Sequence, residues 1–193
     1  MPRMSAFPLR LLASAVFAPA ALALAVLLGA GSLAGPATAQ QAGTAPTDET
    51  VQTFQSWELR CGTPPNGTAK ACQMEQDVFA QGAADQQIAK VAVGFPPGAD
   101  APGMLILSPL ATWLPPGIGF QLDSGQEQRV PVQRCSPQGF ITEILIEEPL
   151  LKALKAGTQI NLAIHDRSRQ PVKGSVSLLG FTAAYDALIA SRS

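Results

Sequence analysis

The stretch Trp57-Glu58-Leu59-Arg60-Cys61 alternates apolar and charged side chains residue by residue. Successive side chains of an extended strand point to opposite faces, so this pattern predicts a strand with one buried and one solvated face. A second cysteine, Cys72, follows the turn-forming pair Asn66-Gly67. An Asn-Gly pair between two extended segments is typical of a β-hairpin. We therefore predict that two strands pair here and that a disulfide bond joins Cys61 to Cys72.

Similar alternation recurs in short segments separated by turns rich in Pro, Gly and Asp. Further strands are predicted at 70–80, 89–95, 104–107, 118–122, 129–134, 140–146, 160–164 and 172–178, with 129–134 and 140–146 forming a pair. About eight or nine strands in a chain of this length favour a mainly β fold, an antiparallel sandwich of two sheets.

Two segments have helical spacing instead. The first opens at Glu147-Glu148-Pro149 and ends at Gly157, with acids and a proline in the first turn. The second begins after Gly180 and carries an apolar stripe: Phe181, Ala184, Tyr185, Leu188 and Ile189. A helix that caps the open end of the sandwich accounts for this stripe better than a membrane or partner helix.

The N-terminus has the three parts of a secretory signal peptide. A short basic segment precedes an apolar run from Leu11 to about Leu28, and Ala37-Thr38-Ala39 forms a cleavage site. The apolar run is long enough to span a bilayer, so a retained anchor is the alternative. Because Pro19 interrupts the run and the cleavage site follows it, we expect residues 1–39 to be removed.

Composition limits the kind of partner. The 193-residue chain is 47% hydrophobic and 14% charged, and residues 40–193 carry 11 basic and 14 acidic side chains. A slightly acidic remainder offers no basic patch for a nucleic acid. We expect residues 40–50 to form a flexible leader and residues 51–193 a single β-sandwich domain that is periplasmic, outer-membrane-associated or secreted, with no membrane span after cleavage.

Few residues are candidates for catalysis. His165, the only histidine, stands beside Asp166 but points away from the apolar face of its strand, so a solvent-facing side chain accounts for it better than a general base. Cys135 has Arg134 beside it, whereas a thiol nucleophile needs an activating environment. As an odd cysteine in an exported chain, Cys135 is expected to be buried, reactive or paired between chains.

The paired acids favour structural roles. Glu147 and Glu148 suit a helix N-terminus, and Glu75 and Asp77, two apart on one strand face, suit a solvated surface. Three thiols and one histidine match no zinc spacing, and no glycine-rich phosphate loop is present in the sequence. We therefore predict no catalytic, metal or cofactor-binding residue.

Several short motifs follow one another in order between about residues 54 and 190. They are Trp57-x-x-x-Cys61, Cys72, Leu107-Ser108-Pro109-Leu110, Leu114-Pro115-Pro116-Gly117-Ile118, Leu122-Asp123, Cys135-x-x-x-Gly139 and Ser177-Leu178-Leu179-Gly180-Phe181 with Ala183 and Leu188. This order and spacing resemble the invasion-associated locus B family. The resemblance implies an immunoglobulin-like β-sandwich, exported in Gram-negative, mainly alphaproteobacterial, cells to the periplasm or outer membrane.

One position departs from the family pattern. The family usually carries a second cysteine just after the glycine of the Cys135-x-x-x-Gly139 motif, and Phe140 stands there instead. The resemblance therefore implies that a second disulfide is absent and that Cys135 is an unpaired thiol. Because Phe140 is in phase with Ile144 and Ile146, we expect it to fill the vacated space as part of the core.

Together these features predict a non-catalytic binding or accessory protein of the cell envelope that contributes to host-cell interaction or envelope function. Its partner is expected to be an envelope or host protein, contacted through the loops 62–69 and 96–103. The alternatives are a small extracytoplasmic enzyme, a hydrolase or thiol-dependent, using His165 or Cys135, and an inhibitor or chaperone of another envelope protein. We expect a monomer or a dimer linked through Cys135.

Overall fold

The computed structural model describes residues 48–63, 69–96 and 98–192. Within these ranges the strands are β1 (Thr50–Phe54), β2 (Trp57–Gly62), β3 (Ala71–Ala80), β4 (Ala83–Gly94), β5 (Gly103–Ser108), β6 (Ile118–Leu122), β7 (Gln128–Val130), β8 (Arg134–Ser136), β9 (Gly139–Leu145), β10 (Gln159–His165) and β11 (Pro171–Ser177). The helices are α1 (Glu148–Ala156) and α2 (Phe181–Ala190). The predicted signal peptide, most of the predicted leader and the Asn66-Gly67 turn lie outside the described residues.

All strand pairs are antiparallel and belong to one connected sheet, ordered β7-β6-β10-β11-β3-β4-β5-β9-β8, with β2 and then β1 also joined to β3. The neighbour on one edge of β3 changes along its length. Its first half pairs with β2, whereas Ala80 at its end pairs with Gly174 of β11. Register shifts between Val78 and Ala80 mark a bulge, which bends a strand and lets it pass from one layer to another.

The bend divides the connected sheet into two layers, β1-β2-β3-β4-β5-β9-β8 and β11-β10-β6-β7. Their inner faces share one buried cluster, to which both layers and both helices contribute. Its fully buried members include Trp57, Met74, Val91, Met104, Ile160 and Val176, each 0% exposed. The predicted mainly β, antiparallel fold with a short C-terminal helix is confirmed.

Two inner-face side chains complete the backbone hydrogen bonds where β11 separates from β3. The Gln76 side chain accepts a bond from the Ser177 N–H (2.8 Å) and donates one to the Ser177 carbonyl (3.1 Å). The indole N–H of Trp57 donates to the same carbonyl at 2.8 Å. Because buried backbone groups need partners, these side chains replace the strand neighbour that Ser177 lacks in β3.

Two glycines allow neighbouring elements to pack closely against each other. A Cβ at Gly174 would lie 2.6 Å from the Phe79 carbonyl oxygen, so only glycine lets β11 approach β3 there. Gly180 precedes α2 with φ of 86°, and a Cβ there would collide with the Phe54 carbonyl oxygen. This turn places Phe181 edge-on against Trp57, with ring centroids 5.4 Å apart.

Both predicted helices are confirmed. Helix α1 follows Glu147 and is closed by the Gly157 N–H, which donates to the Ala153 carbonyl. Helix α2 buries four residues of its predicted stripe, whereas the fifth, Ile189, is 42% exposed. No helix within the described ranges is both long and apolar enough to cross a bilayer.

Two local predictions were wrong, and one strand was missed. Segment 129–134 does not form one strand paired with 140–146, because Pro131 lacks a backbone donor and divides it. Strand β7 instead pairs with β6, and only β8 pairs with β9. Strand β1 was missed, since its residues carry no apolar alternation. Phe140 is half-buried and outside the buried cluster, because it lies near the edge of the sheet, opposite the exposed Cys135 of β8.

Candidate functional site

The outward side chains of β2, β3, β4, β5 and β9 form rows across the strands, and we call this surface the outer face. The first row is Arg60, Gln73, Gly94, Gly103 and Leu145; the second is Glu58, Glu75, Ala92, Leu105 and Glu143; the third, from β3 to β8, is Asp77, Lys90, Leu107, Ile141 and Arg134. On β4 and β5, the central strands, the first two rows therefore place Gly94, Gly103 and Ala92 beside Leu105, so three of these four positions carry small residues.

These small residues form the floor of an open groove of about 1010 Å³ on the outer face, which we call the outer groove. One wall carries Arg60, Glu75 and Lys90. The opposite wall carries Arg134, Glu143 and Leu145. Its volume is at the upper end of the range for sites that take small molecules or a projecting part of a larger partner.

The two floor glycines are not required by the fold. A Cβ at Gly94 would lie 3.4 Å from the Gln73 Cβ, and one at Gly103 would lie 3.8 Å from the nearest atom, the Pro96 Cγ. Both distances are ordinary contacts, and neither glycine is among those with positive φ. Glycine in a strand weakens it and often marks a place where a ligand or another backbone comes close. Gly94 and Gly103 thus keep the floor of the groove low.

Glu75 is the centre of the first wall. It is only 8% exposed although it lies on the outer face. Its Oε1 is 2.8 Å from Nε of Arg60 and 2.9 Å from Nζ of Lys90. The prediction of a solvated pair, Glu75 and Asp77, is therefore wrong for Glu75, because long cationic side chains on both neighbouring strands fold over it. Asp77, which is exposed, contacts Lys90 at 3.0 Å.

The cations of this wall are held in their charged form. Hydrogen bonds to Glu49 and then Glu58 raise the pKa of Arg60. Burial alone would lower the pKa of Lys90, but hydrogen bonds to Glu75 and Asp77 outweigh it and the pKa is raised. Each cation thus has an acidic partner within the protein, so the wall presents paired rather than free charge.

The second wall is also internally paired. Arg134 Nε donates to Glu143 Oε1 at 2.8 Å. The Gln133 side chain accepts from the Glu143 N–H and donates to its carbonyl, which ties the strand edge in place. Leu145, at the end of this wall, is 57% exposed. The groove therefore combines an apolar, low floor with a rim of satisfied ion pairs.

The two loops predicted as contact sites both reach this groove. The described end of loop 62–69 contributes Gly62 and Thr63, and loop 96–103 contributes Pro96 and Gly103. The Cys61–Cys72 disulfide, confirmed by the structure, joins β2 to β3 at the same end of the groove. Sequence reasoning therefore indicated the ends of the site but missed its floor.

The two candidate catalytic residues do not come together. His165 ends β10 and is half-buried rather than solvent-facing, with its ring centroid 6.0 Å from that of Trp113. Cys135 is exposed on β8 and forms no disulfide. Strands β10 and β8 are six places apart in the sheet order. Activation of a thiol by a histidine needs hydrogen-bond contact, which this arrangement does not provide.

No metal-binding group is built into the described part of the chain: it contains no cluster of three or more His, Cys, Asp or Glu side chains arranged to hold an ion. Glu147 and Glu148 lie where the sequence predicted, at the start of α1. The outer groove is therefore the surface feature with the clearest capacity to bind another molecule.

Comparisons with known proteins found matches to most of the chain. Residues 57–189 match the family model described as invasion associated locus B protein. Two invasion protein B homologs of Brucella abortus, from strain 2308 and from biovar 1 strain 9-941, are each 29% identical over 136 residues, which is 70% of this chain and 76% of each relative. The crystal structure of invasion associated protein B from Bartonella henselae has a similar fold, with a TM-score of 0.60 and 22% identity over 74% of this chain and 97% of that chain.

Proposed function

This chain belongs to the invasion associated locus B family, and we propose that it is an exported, non-catalytic protein of the cell envelope that binds another protein through the outer groove. The observation that carries this proposal is the low floor at Gly94 and Gly103, which the fold itself does not require. The signal-like N-terminus supports export to the periplasm. The names of the Brucella relatives support a contribution to host-cell interaction.

The chemistry of the groove favours binding over catalysis. Its acids and bases are engaged with one another, and the thiol of Cys135 and the imidazole of His165 lie on strands far apart in the sheet. A general acid, base or nucleophile needs a free, positioned group. Paired charges do not supply one, whereas they form a polar rim that remains satisfied when a partner covers it.

A protein partner suits this surface because protein interfaces combine an apolar centre with a polar rim. The centre here is formed by Ala92, Gly94, Gly103 and Leu105, and the rim by the two ion-paired walls. A branched or aromatic side chain that projects from the partner would fill the hollow over the two glycines. Such side chains in desolvated pockets carry most of the binding free energy of an interface.

The test is to fill the floor without disturbing the fold, with the variants Gly94→Val and Gly103→Val. Since valine suits a strand better than glycine, we expect the free energy of unfolding to stay equal or to rise by about 0.5–1 kcal/mol. We expect capture of the partner to fall at least tenfold, about 1.4 kcal/mol. The matched control is Ser175→Val, which adds a similar side chain at an exposed position of β11 in the other layer.

The measurement is crosslinking of the tagged protein in its native envelope, followed by quantitative mass spectrometry of the captured chains. A protein captured by the wild type and S175V but lost from both glycine variants supports the groove as its site. Equal capture by all four proteins contradicts it. If C135S or H165A abolishes a cellular activity while capture is unchanged, the enzyme alternative replaces the binding proposal.

Location has its own test. The intact mass of the protein taken from its native envelope should correspond to a chain that begins at Gln40 and carries one disulfide, and the protein should fractionate with the periplasm or the outer membrane. A chain that retains residues 1–39 and fractionates with the cytoplasm contradicts the proposed export.

A further inference from the structure

The edges of the described sheet are protected to different degrees. Strands β7 and β8 each have three residues, carry an arginine, and are followed closely by Pro131 and Pro137. Short length, charge and proline are the devices by which proteins prevent edge strands from pairing with other chains. Strand β1 (Thr50–Phe54) has five residues, with no charge, proline or glycine. It is the unprotected edge of the part of the sheet that the structure describes.

This edge is both exposed and ordered. The first four residues of β1 are exposed, and Val51 is 46% exposed. Its other edge is paired with β2 along all five residues. At its end, the Ser56 N–H donates to the Leu179 carbonyl and Phe54 packs against the buried cluster. An ordered strand with unpaired backbone groups is a template for another strand, with little ordering entropy left to lose.

We propose that the free edge of β1 pairs antiparallel with β1 of a second copy of this chain, about a two-fold axis at Gln52. This register places Val51 opposite Thr53 of the second copy and Thr50 opposite Phe54. Cross-strand pairs of β-branched or aromatic side chains stabilise antiparallel strands. The five-residue sequence is therefore complementary to itself, as a two-fold interface requires.

Charge on the outer face agrees with this register. On β2, Arg60 lies opposite Val51 and Glu58 lies opposite Thr53. When Val51 faces Thr53 of the second copy, the row of Arg60 continues into the row of Glu58 from that copy. We call the line between the two β1 strands the seam. In each of the two symmetric rows, Arg60 lies on one side of the seam and Glu58 on the other, so no like charges meet there.

The dimer joins the outer faces of the two copies side by side, so two outer grooves point in the same direction. Pairing five residues forms about four to six backbone hydrogen bonds, depending on which residues face outward. This seam is shorter than a standard interface of roughly 1,200–2,000 Å², so the dimer is expected to be concentration-dependent. It is distinct from a dimer linked through Cys135, because β8 lies at the opposite edge of the same layer.

The test is analytical ultracentrifugation of the protein purified from its native envelope, over a wide concentration range. We expect a reversible dimer that C135S leaves unchanged. T53K and V51E each place like charges diagonally across the seam, and we expect each to raise the dimer dissociation constant at least tenfold. S175K, an exposed lysine on β11, is the matched control and should dimerise like the wild type.

The decisive part of the experiment mixes T53K and V51E in equal amounts. In the proposed register Thr53 of one copy faces Val51 of the other, so T53K and V51E together should form a heterodimer with a lower dissociation constant than either variant's homodimer. Circular dichroism and thermal unfolding establish that both variants are folded; T53K is expected to fold because its new cation faces Glu58. A monomer at every concentration, a dimer lost in C135S, a dimer retained in T53K and V51E, or a mixture of folded variants that stays monomeric overturns the proposal.

Discussion

The inner and outer faces of β2, β3, β4, β5 and β9 differ in packing although the same strands form both. On the inner face, Trp57, Met74 and Met104 are 0% exposed and belong to the buried cluster. On the outer face, Gly94 and Gly103 leave open positions at which an added Cβ would make only ordinary contacts. Because side chains alternate along a strand, a shift of one residue separates positions that maintain the fold from positions that shape a binding surface.

The same contrast distinguishes glycines. At Gly174 a Cβ would lie 2.6 Å from a backbone oxygen, so this glycine is needed for β11 to approach β3. At Gly94 the nearest atom would be 3.4 Å away, in ordinary contact. Residue type alone does not distinguish the two roles, whereas the atoms around each glycine do.

The largest effect is expected on the inner face. Trp57→Ala removes a fully buried indole and its hydrogen bond to Ser177, and should lower the free energy of unfolding by about 3–5 kcal/mol. Leu105→Ala, on the outer face of the same layer, is half-buried and should cost less than about 1 kcal/mol. Urea unfolding measures both. Similar losses would contradict the distinction between the two faces.

Removal of the disulfide is expected to have the next largest effect. The Cys61–Cys72 bond closes a loop with a sequence separation of 11 residues, so the double variant C61S/C72S should lose about 3 kcal/mol of stability through the unfolded state. C135S should unfold like the wild type, because Cys135 is exposed and unbonded. If the double variant is as stable as C135S, the link between β2 and β3 does not maintain this end of the groove.

The smallest effect is expected in the wall of the groove. Glu75→Gln leaves Arg60 and Lys90 without their shared carboxylate and should cost about 1 kcal/mol, because both cations remain about one third exposed to solvent. Glu58→Gln removes a more exposed carboxylate that contacts Arg60 and is the matched control. A loss in E75Q no larger than in E58Q would show that the burial of Glu75 adds nothing to stability.

The wild type and E75Q also give a pH test. The pKa of Lys90 is raised in the folded state, so its contribution is complete below the unfolded value of about 10.4 and is lost as pH rises through the folded value. Stability of the wild type should therefore fall more steeply than that of E75Q above about pH 10. Burial also raises the pKa of Tyr185, but that group is common to both proteins and cancels in the difference.

Local patterns predicted much of the fold but little of the site. The alternation around Trp57 and Leu59 predicted β2, and the acids before Pro149 predicted the start of α1, because neighbouring residues create these signals. Strand β1 has no such alternation, so its hairpin with β2 left no local signal, and only at its end do Phe54 and Ser56 contact Gly180 and Leu179 far along the chain. Glu75 was misjudged for the same reason, since the cations that cover it come from other strands.

The sequence alone established the β-rich class, the pairing of Cys61 with Cys72 and the alternation of strands such as β2, because periodicity and turn chemistry act between close neighbours. The tertiary structure was needed to show that Gly94 lies beside Gly103, that Gly103 lies beside Leu145, and that β1 is an open edge of the described part of the sheet. These relations depend on the register between strands. Register is set by packing of the whole core, which no single segment of the sequence contains.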